Sequence, residues 1–369
     1  MKIYFDALIV GSGAVGLSIA RNFLLRNKTV LVIEKEHRSG EGISSRNSGV
    51  IHAGIYYPSN SLKAKLCIEG SKLLYKYCED KNISHTKTGK LIISANKYEH
   101  NSLKKLFKKG LDNGVDLHML NKQEVREFEP SINCYSAIFS PNSGIIDVPE
   151  YINALEYDIQ NLGGLISYKT QFLTAKRNKS EIEAVAFSDE KVTIFCDYLI
   201  NSSGLGSFET LNNIKNLDKK YIKRIYYGKG HYFKYHGKNP FSHLIYPLPG
   251  KGGLGIHVGW DSSHQLRFGP DIVWTENLDY TFDASLKTKF LESIKNYWPE
   301  IDENKLQPDF CGIRPKLYQL GESQSDFSIN GPNIHGFEGL ISLQGIESPG
   351  LTSSPAIAEY VYDLVEENI

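Results

Sequence analysis

The run Gly11-Ser12-Gly13-Ala14-Val15-Gly16 places three glycines at the spacing that cradles a pyrophosphate. The first allows a tight turn and the second lets backbone approach a phosphate. The third lets the following helix pack close on the preceding strand. The N-terminus of that helix offers free N–H groups and the positive end of a dipole. Glu34 follows at roughly 20 residues, where a carboxylate hydrogen-bonds an adenosine ribose, and Lys35 beside it is assigned to the same site. Glycines also make ordinary turns, but strand, helix and acid together point to a bound dinucleotide. FAD and NAD fit the pattern equally.

Further chemistry is scattered along the chain. Ser44-Ser45-Arg46-Asn47-Ser48-Gly49 leads into Val50-Ile51-His52, a polar and glycine-rich run directly after the second predicted strand. Near the other end, Gly345-Ile346-Glu347-Ser348-Pro349-Gly350-Leu351-Thr352 opens the last helix. Such a turn aims N–H groups and a helix dipole at one point, where negative charge on the N1–C2=O edge of a reduced flavin would be stabilised. The plain alternative is an N-cap made by Thr352 or Ser353. Arg314, in Ile313-Arg314-Pro315, has the planar fork that grips a carboxylate, against the alternative of a surface ion pair. His52, His231 and His257 compete as proton acceptor, since an imidazole pKa of about 6.5 suits work near neutrality. For each the alternative is a histidine with a satisfied structural hydrogen bond. Tyr246 and Tyr57 are candidate hydroxyl donors, or packing aromatics.

The elements that must position these residues read as α/β. Ile3–Val10 and Thr29–Glu34 are continuous apolar runs, as parallel strands buried on both faces should be, with a helix over Ala14–Leu25 between them. A second segment from Val148 to Leu211 carries a helix, several strands and a closing turn at Asn201-Ser202-Ser203-Gly204-Leu205-Gly206. A third has a strand at Leu340–Leu343 and a helix over Thr352–Glu366. Between them, alternating runs such as Gly230-His231-Tyr232-Phe233-Lys234-Tyr235 and Leu254-Gly255-Ile256-His257-Val258-Gly259 argue antiparallel strands with one buried face. The expected organisation is a discontinuous Rossmann-like nucleotide domain (1–84, 144–220 and 307–369) with a mostly antiparallel β-sheet substrate domain (85–143 and 221–306) inserted into it.

Composition sets limits on function. Lys+Arg and Asp+Glu both total 42 over 369 residues, so the electrostatic basis for nucleic-acid binding is missing. The basic group Lys104, Lys105, Lys108 and Lys109 has the spacing of a solvated helix face. The 5 cysteines are scattered without a C-x-x-C pair, which excludes a zinc knuckle or redox dithiol and fits a reduced, cytoplasmic setting. No apolar run approaches the roughly 18 residues of a membrane span. The expectation is a soluble protein, or one attached peripherally to the inner face of a membrane.

The fingerprint, the two flanking runs and Asn201–Gly206 together resemble the FAD-dependent oxidoreductases of the D-amino-acid oxidase/glycerol-3-phosphate dehydrogenase superfamily. Within it, Asn47–Tyr57, Ser61–Cys67, Leu244-Ile245-Tyr246-Pro247, Gly312-Ile313-Arg314-Pro315 and Gly345–Thr352 look most like the L-2-hydroxyglutarate oxidases/dehydrogenases. Where those enzymes carry a Gly-Glu-Tyr-type sequence, this chain has Gly230-His231-Tyr232. The resemblance implies an extended FAD, with Gly11–Gly16 and Glu34 on its adenosine diphosphate half. It places Ser44–Gly49 along the pyrophosphate and flavin, the Phe172 backbone at the adenine, the Ser203-Gly204 turn at the cofactor, and Gly345, Pro349, Gly350, Leu351 and Thr352 at the flavin. It implies a small carboxylate substrate held by Arg314, and oxygen or a quinone-linked carrier as electron acceptor. The C-terminal run lacks a cysteine to tether the flavin, so non-covalent FAD is expected. The implied reaction is oxidation of an L-2-hydroxy acid to the 2-oxo acid. The same fold also serves amine, amino-acid or glycerol-phosphate donors, and a flavin-binding subunit without catalysis is the non-enzyme alternative.

Overall fold

The structure is a computed structural model that describes residues 3–248 and 255–366. β1 (Ile3–Val10) lies at the centre of the first sheet, with α1 (Ala14–Leu24) crossing from it to β2 (Val30–Ile33). β1 pairs in parallel with β2 on one side and with the strand Lys191–Asn201 on the other. Leu165–Ser167 extends the parallel array beyond β2, and Leu340–Gln344 extends it beyond Asn201. Ala7, Leu8 and Ile9 are wholly buried, because helices cover one face and a β-meander the other. On the helical face α1 meets the C-terminal helix Gly350–Glu366, with Phe23 edge-on to Tyr362 at 5.0 Å.

The second sheet is nine-stranded and mixed. Its edge toward the first domain is formed by Tyr226–Tyr235 and Leu306–Lys316, which pair antiparallel along most of their length. Its middle holds Lys90–Ser94, parallel to Leu244–Pro247 and antiparallel to Ser136–Ser140. The core beneath it is aromatic: Phe233, Phe268, Phe290 and Trp298 pack ring on ring. A third, three-stranded sheet ties the two units together by pairing Val50–Ile51 and His85–Thr86 with Gly144–Ile146.

Two expectations are corrected. The boundary at 307 falls inside a strand: residues up to Lys316 are hydrogen-bonded to Tyr226–Tyr235 and belong to the second sheet. The run Leu254–Gly259 is not one alternating strand, since only Val258–Trp260 is paired, and Leu254 lies outside the described residues. In the basic helix Lys97–Asp112 only Leu103 and Gly110 are buried, which leaves Lys104, Lys105 and Lys108 on a solvated face. Among the described residues no helix is long and apolar enough to cross a membrane.

Candidate active site

The glycine run turns the chain from β1 into α1 as its spacing requires. Gly11 adopts φ +102°, and a Cβ there would press on the Ser202 carbonyl at 2.9 Å. A Cβ at Gly16 would collide with the Gly11 carbonyl, so this glycine is what lets α1 sit against β1. Gly13 faces only the Ser44 hydroxyl. No side chain caps α1, although the Ala14 N–H donates to Ser44 Oγ at 3.0 Å. An open turn over an uncapped N-terminus is the cradle that a pyrophosphate needs. Glu34 holds the loop from below, accepting from the Ser12 N–H at 2.8 Å and from Ser12 Oγ at 3.0 Å. Phe172 is the second residue of the strand Gln171–Asn178, which starts close to Glu34, whose carbonyl accepts from the Thr170 N–H. Lys35 instead points outward to Glu36 at 3.7 Å, in the manner of a surface pair.

The Ser44–Gly49 loop runs from this cradle to the second sheet. Asn47 closes it internally, donating to the Ser44 carbonyl and accepting from the Gly49 N–H, both at 2.6 Å. Arg46 donates to the Cys311 carbonyl at 3.3 Å and lies over the Tyr280 ring. Gly204, at φ +57°, brings the Ser203-Gly204 turn against Ile43. The C-terminal turn then meets the far end of the loop. Gly345 has φ +69°, the Ser348–Pro349 peptide is cis, and Thr352 Oγ1 takes the His52 N–H at 3.0 Å while donating to the Val50 carbonyl at 3.3 Å. Thr352 is thus a tie between the last helix and the strand before His52.

Beside these turns, His52, His257, Tyr57 and Arg314 are half-buried, and their mutual influence, with Ser348 touching both His52 and Tyr57, groups them around one crevice. The Arg314 Nη2 donates to the Asp271 carbonyl at 2.8 Å, but its buried Nη1 has no protein partner. A buried guanidinium donor without an acceptor fits a bound anion. His52 Nε2 lies 3.2 Å from Ser348 Oγ, and its Nδ1 lies 3.5 Å from Lys90 Nζ. Burial, then the charge of Lys90 and then His257, hold the His52 imidazole well below its ordinary pKa. Tyr246 and His257 stack face to face with ring centres 3.7 Å apart. Burial, with Lys90 and Arg314 adding to it, brings His257 down to about 3. Burial raises the Tyr57 and Tyr246 hydroxyls well above the usual phenol range.

His231 does not join this group. It sits on the opposite face of its strand, with Nδ1 3.0 Å from Asp271 Oδ1 and its ring edge-on to Phe282. Strand alternation sends Tyr232, not His231, toward the crevice, where it stacks on Phe310. The departure from the Gly-Glu-Tyr pattern is separated from Arg314 by Asp271, which His231 meets at the carboxylate and Arg314 at the carbonyl. Sequence reasoning also missed four residues. Lys90 is buried over Tyr246, a cation brought beside that ring from a distant strand. Lys63 and Lys316 both reach Glu347, and all three are buried. Glu347 and Lys63 stood in runs already singled out, Gly345–Thr352 and Ser61–Cys67, and Lys90 and Lys316 did not.

A glycine cradle on a parallel sheet, running into a polar crevice beneath a second sheet, defines a dinucleotide-dependent oxidoreductase. Residues 6–364 match the family described as FAD dependent oxidoreductase, and the chain belongs to that family, with FAD as its cofactor. The chain is 36% identical over 397 aligned residues to a mitochondrial L-2-hydroxyglutarate dehydrogenase of Arabidopsis thaliana, covering 96% of this chain and 82% of that one. A glycerol 3-phosphate dehydrogenase of Caloramator mitchellensis is 29% identical, with 98% of this chain and 74% of that one covered. Among solved structures, the FAD-bound L-alpha-glycerophosphate oxidase of Mycoplasma pneumoniae superposes with a TM-score of 0.89 at 23% identity, over 98% of this chain and 95% of that one. At that identity the likeness speaks for the fold alone.

Proposed function

We propose that this chain oxidises L-2-hydroxyglutarate to the 2-oxo acid. The observation that carries the reading is the buried, unpartnered Nη1 of Arg314 in one crevice with a neutral His52. The naming of the similar Arabidopsis protein supports the choice among hydroxy acids. Bound FAD supplies the acceptor for the hydride from C2. The chain's own residues do the rest. Gly11–Gly16 and Ser44–Gly49 hold the cofactor, Arg314 fixes the substrate's C1 carboxylate, and His52 takes the hydroxyl proton. Because burial keeps His52 unprotonated near neutral pH, its ring is ready to accept that proton. Oxygen or a quinone-linked carrier then removes the electrons, at a cytoplasmic or membrane-peripheral location.

Anaerobic bleaching of the FAD absorbance tests this reading against a panel of L-2-hydroxyglutarate, other hydroxy acids, amino acids and glycerol 3-phosphate. Rapid bleaching by L-2-hydroxyglutarate and not by its D form is the expected result. Bleaching by glycerol 3-phosphate or an amino acid alone would replace the donor, and a yellow protein bleached by none would be a flavin-binding subunit. Arg314→Ala is expected to weaken substrate binding on the order of 30-fold or more, with flavin content intact. Loss of flavin instead would make Arg314 a structural residue.

A further inference from the structure

Lys90 opens the strand Lys90–Ser94 and is 1% exposed. Its register opposite Leu244 and Ser140 sets it in the interior of the second sheet, not at a solvent-facing end. Nζ lies 4.2 Å from the centre of the Tyr246 ring and 3.5 Å from His52 Nδ1. Among the described residues no carboxylate pairs with it. An ammonium so placed has lost its hydration without gaining a counter-ion, and burial brings its pKa down to about 7. The groups that face it do not restore the charge. The Cys67 thiol is pushed up to about 12 by burial, the Tyr246 hydroxyl is pushed well above the usual phenol range, and His257 is held down to about 3. Arg314 acts on His257 from the other side. The one group with which Lys90 can exchange a proton is the His52 ring, whose other nitrogen faces Ser348 and the crevice.

We propose that Lys90 is the positioning partner and proton acceptor of His52. As a neutral amine it takes the hydrogen bond from Nδ1–H, which leaves Nε2 bare toward the reacting hydroxyl. This rests on the reading of His52 as the base in the proposed reaction. When the substrate O–H bond breaks, an N–H bond forms at Nε2, the Nδ1–H bond breaks, and a third N–H bond forms on Nζ. The ring ends neutral with its tautomer exchanged, and Lys90 ends as an ammonium that returns its proton through the His52 ring after product leaves. The hydride from the same carbon passes to the bound cofactor, so the substrate loses one proton and one hydride. The arrangement resembles a histidine backed by a carboxylate, except that the backing group starts uncharged.

Two variants separate this role from simpler ones. Lys90→Met preserves length and apolar packing but accepts no proton, and Lys90→Arg preserves the cation but is never deprotonated. Both are expected to slow anaerobic bleaching at saturating L-2-hydroxyglutarate by about 100-fold or more. The half-saturating concentration should stay within about threefold. The pH limb near Lys90's own value of about 7 should vanish from the rate profile. A wild-type rate in Lys90→Arg would show that charge, not proton acceptance, matters, and an effect confined to half-saturation would make Lys90 a carboxylate anchor. Either result overturns the proposal. A substrate-independent measurement is the ¹⁵N spectrum of the histidines in the FAD-loaded wild-type protein. Above pH 7, His52 is expected to carry its proton on Nδ1, and a proton on Nε2 would overturn the assignment even with no variant in hand. If the wild type is not bleached by L-2-hydroxyglutarate, the substrate reading fails while the tautomer still decides the role of Lys90.

Discussion

Among the described residues lysine is buried both with a carboxylate and without one, and two of these places solve one physical problem in opposite ways. Lys63 and Lys316, each with a side chain 7% exposed, converge on Glu347, itself 6% exposed. Burial pushes the Glu347 carboxyl up, but the ammonium groups of Lys316 and Lys63 outweigh it, so the net shift is downward. Burial takes Lys316 down to about 8, with Glu347 opposing the fall. Their charges tie the helix Leu62–Lys81, the strand Leu306–Lys316 and the Gly345–Gly350 turn into one corner. Lys90 has no such partner and is left with an amine able to exchange its proton. A buried lysine beside a carboxylate is a tie, and one beside an imidazole is chemistry.

The largest expected effect breaks the tie. Glu347→Gln leaves two buried ammonium groups without their counter-ion, and removing one member of a buried ionic group costs about 3–5 kcal/mol. Urea unfolding of the FAD-loaded protein should register a loss of that order. A loss under about 1 kcal/mol would mean that Lys63 and Lys316 simply shed their protons, as Lys90 does, and the contrast between the two regions would disappear.

A smaller effect, of opposite sign, is expected at the other region. The folded protein holds Lys90 near 7, whereas an unfolded lysine titrates near about 10.4. Between those values the unfolded chain binds more protons, so wild-type stability should climb with pH across that window. Below the folded value both states are protonated and the cost of burying the charge is present in full. Lys90→Met should therefore be more stable than wild type below neutrality, on the order of 1–3 kcal/mol, with the gap closing as pH rises. Lys316 titrates in part of the same window but is common to both proteins, so it cancels in the difference. Parallel stability curves across that range would show that Lys90 is not held neutral.

The nucleotide half of the molecule was legible in the sequence because its constraints are local. Gly11, Gly13 and Gly16 carry their signal in their spacing, although Gly11 and Gly13 face Ser202 and Ser44 from distant parts of the chain, and the apolar runs of β1 and β2 report burial directly. The crevice was legible only in part. Arg314 and His52 stand in runs that mark them, but Lys90 begins an apolar strand and there reads as its solvent end. Only the pairing of Lys90 with Leu244 and Ser140, from distant parts of the chain, puts it inside. Glu347 needed partners 284 and 31 residues away to show what it does. His231 was misplaced for a related reason: alternation tells which residues share a face, but not which face looks at the site.

The smallest expected effect sharpens the comparison by holding pairing constant and removing burial. Lys76 and Asp80, one turn apart on the same helix as Lys63, form an ion pair at 2.9 Å with side chains 72% and 54% exposed. Its distance falls between the two in the buried corner, so if pairing alone set the strength of such contacts, losing it should cost a similar amount. Water screens both charges, however, and holding two long side chains in register costs entropy that the weak attraction barely offsets. Lys76→Gln should therefore lower stability by no more than about 0.5 kcal/mol, and by less still in molar salt. Measured beside Glu347→Gln in the same urea titration, a comparable loss at both sites would show that burial is not what separates the corner from the surface. It would also remove the reason for treating Lys90, buried and unpaired, as a different kind of residue.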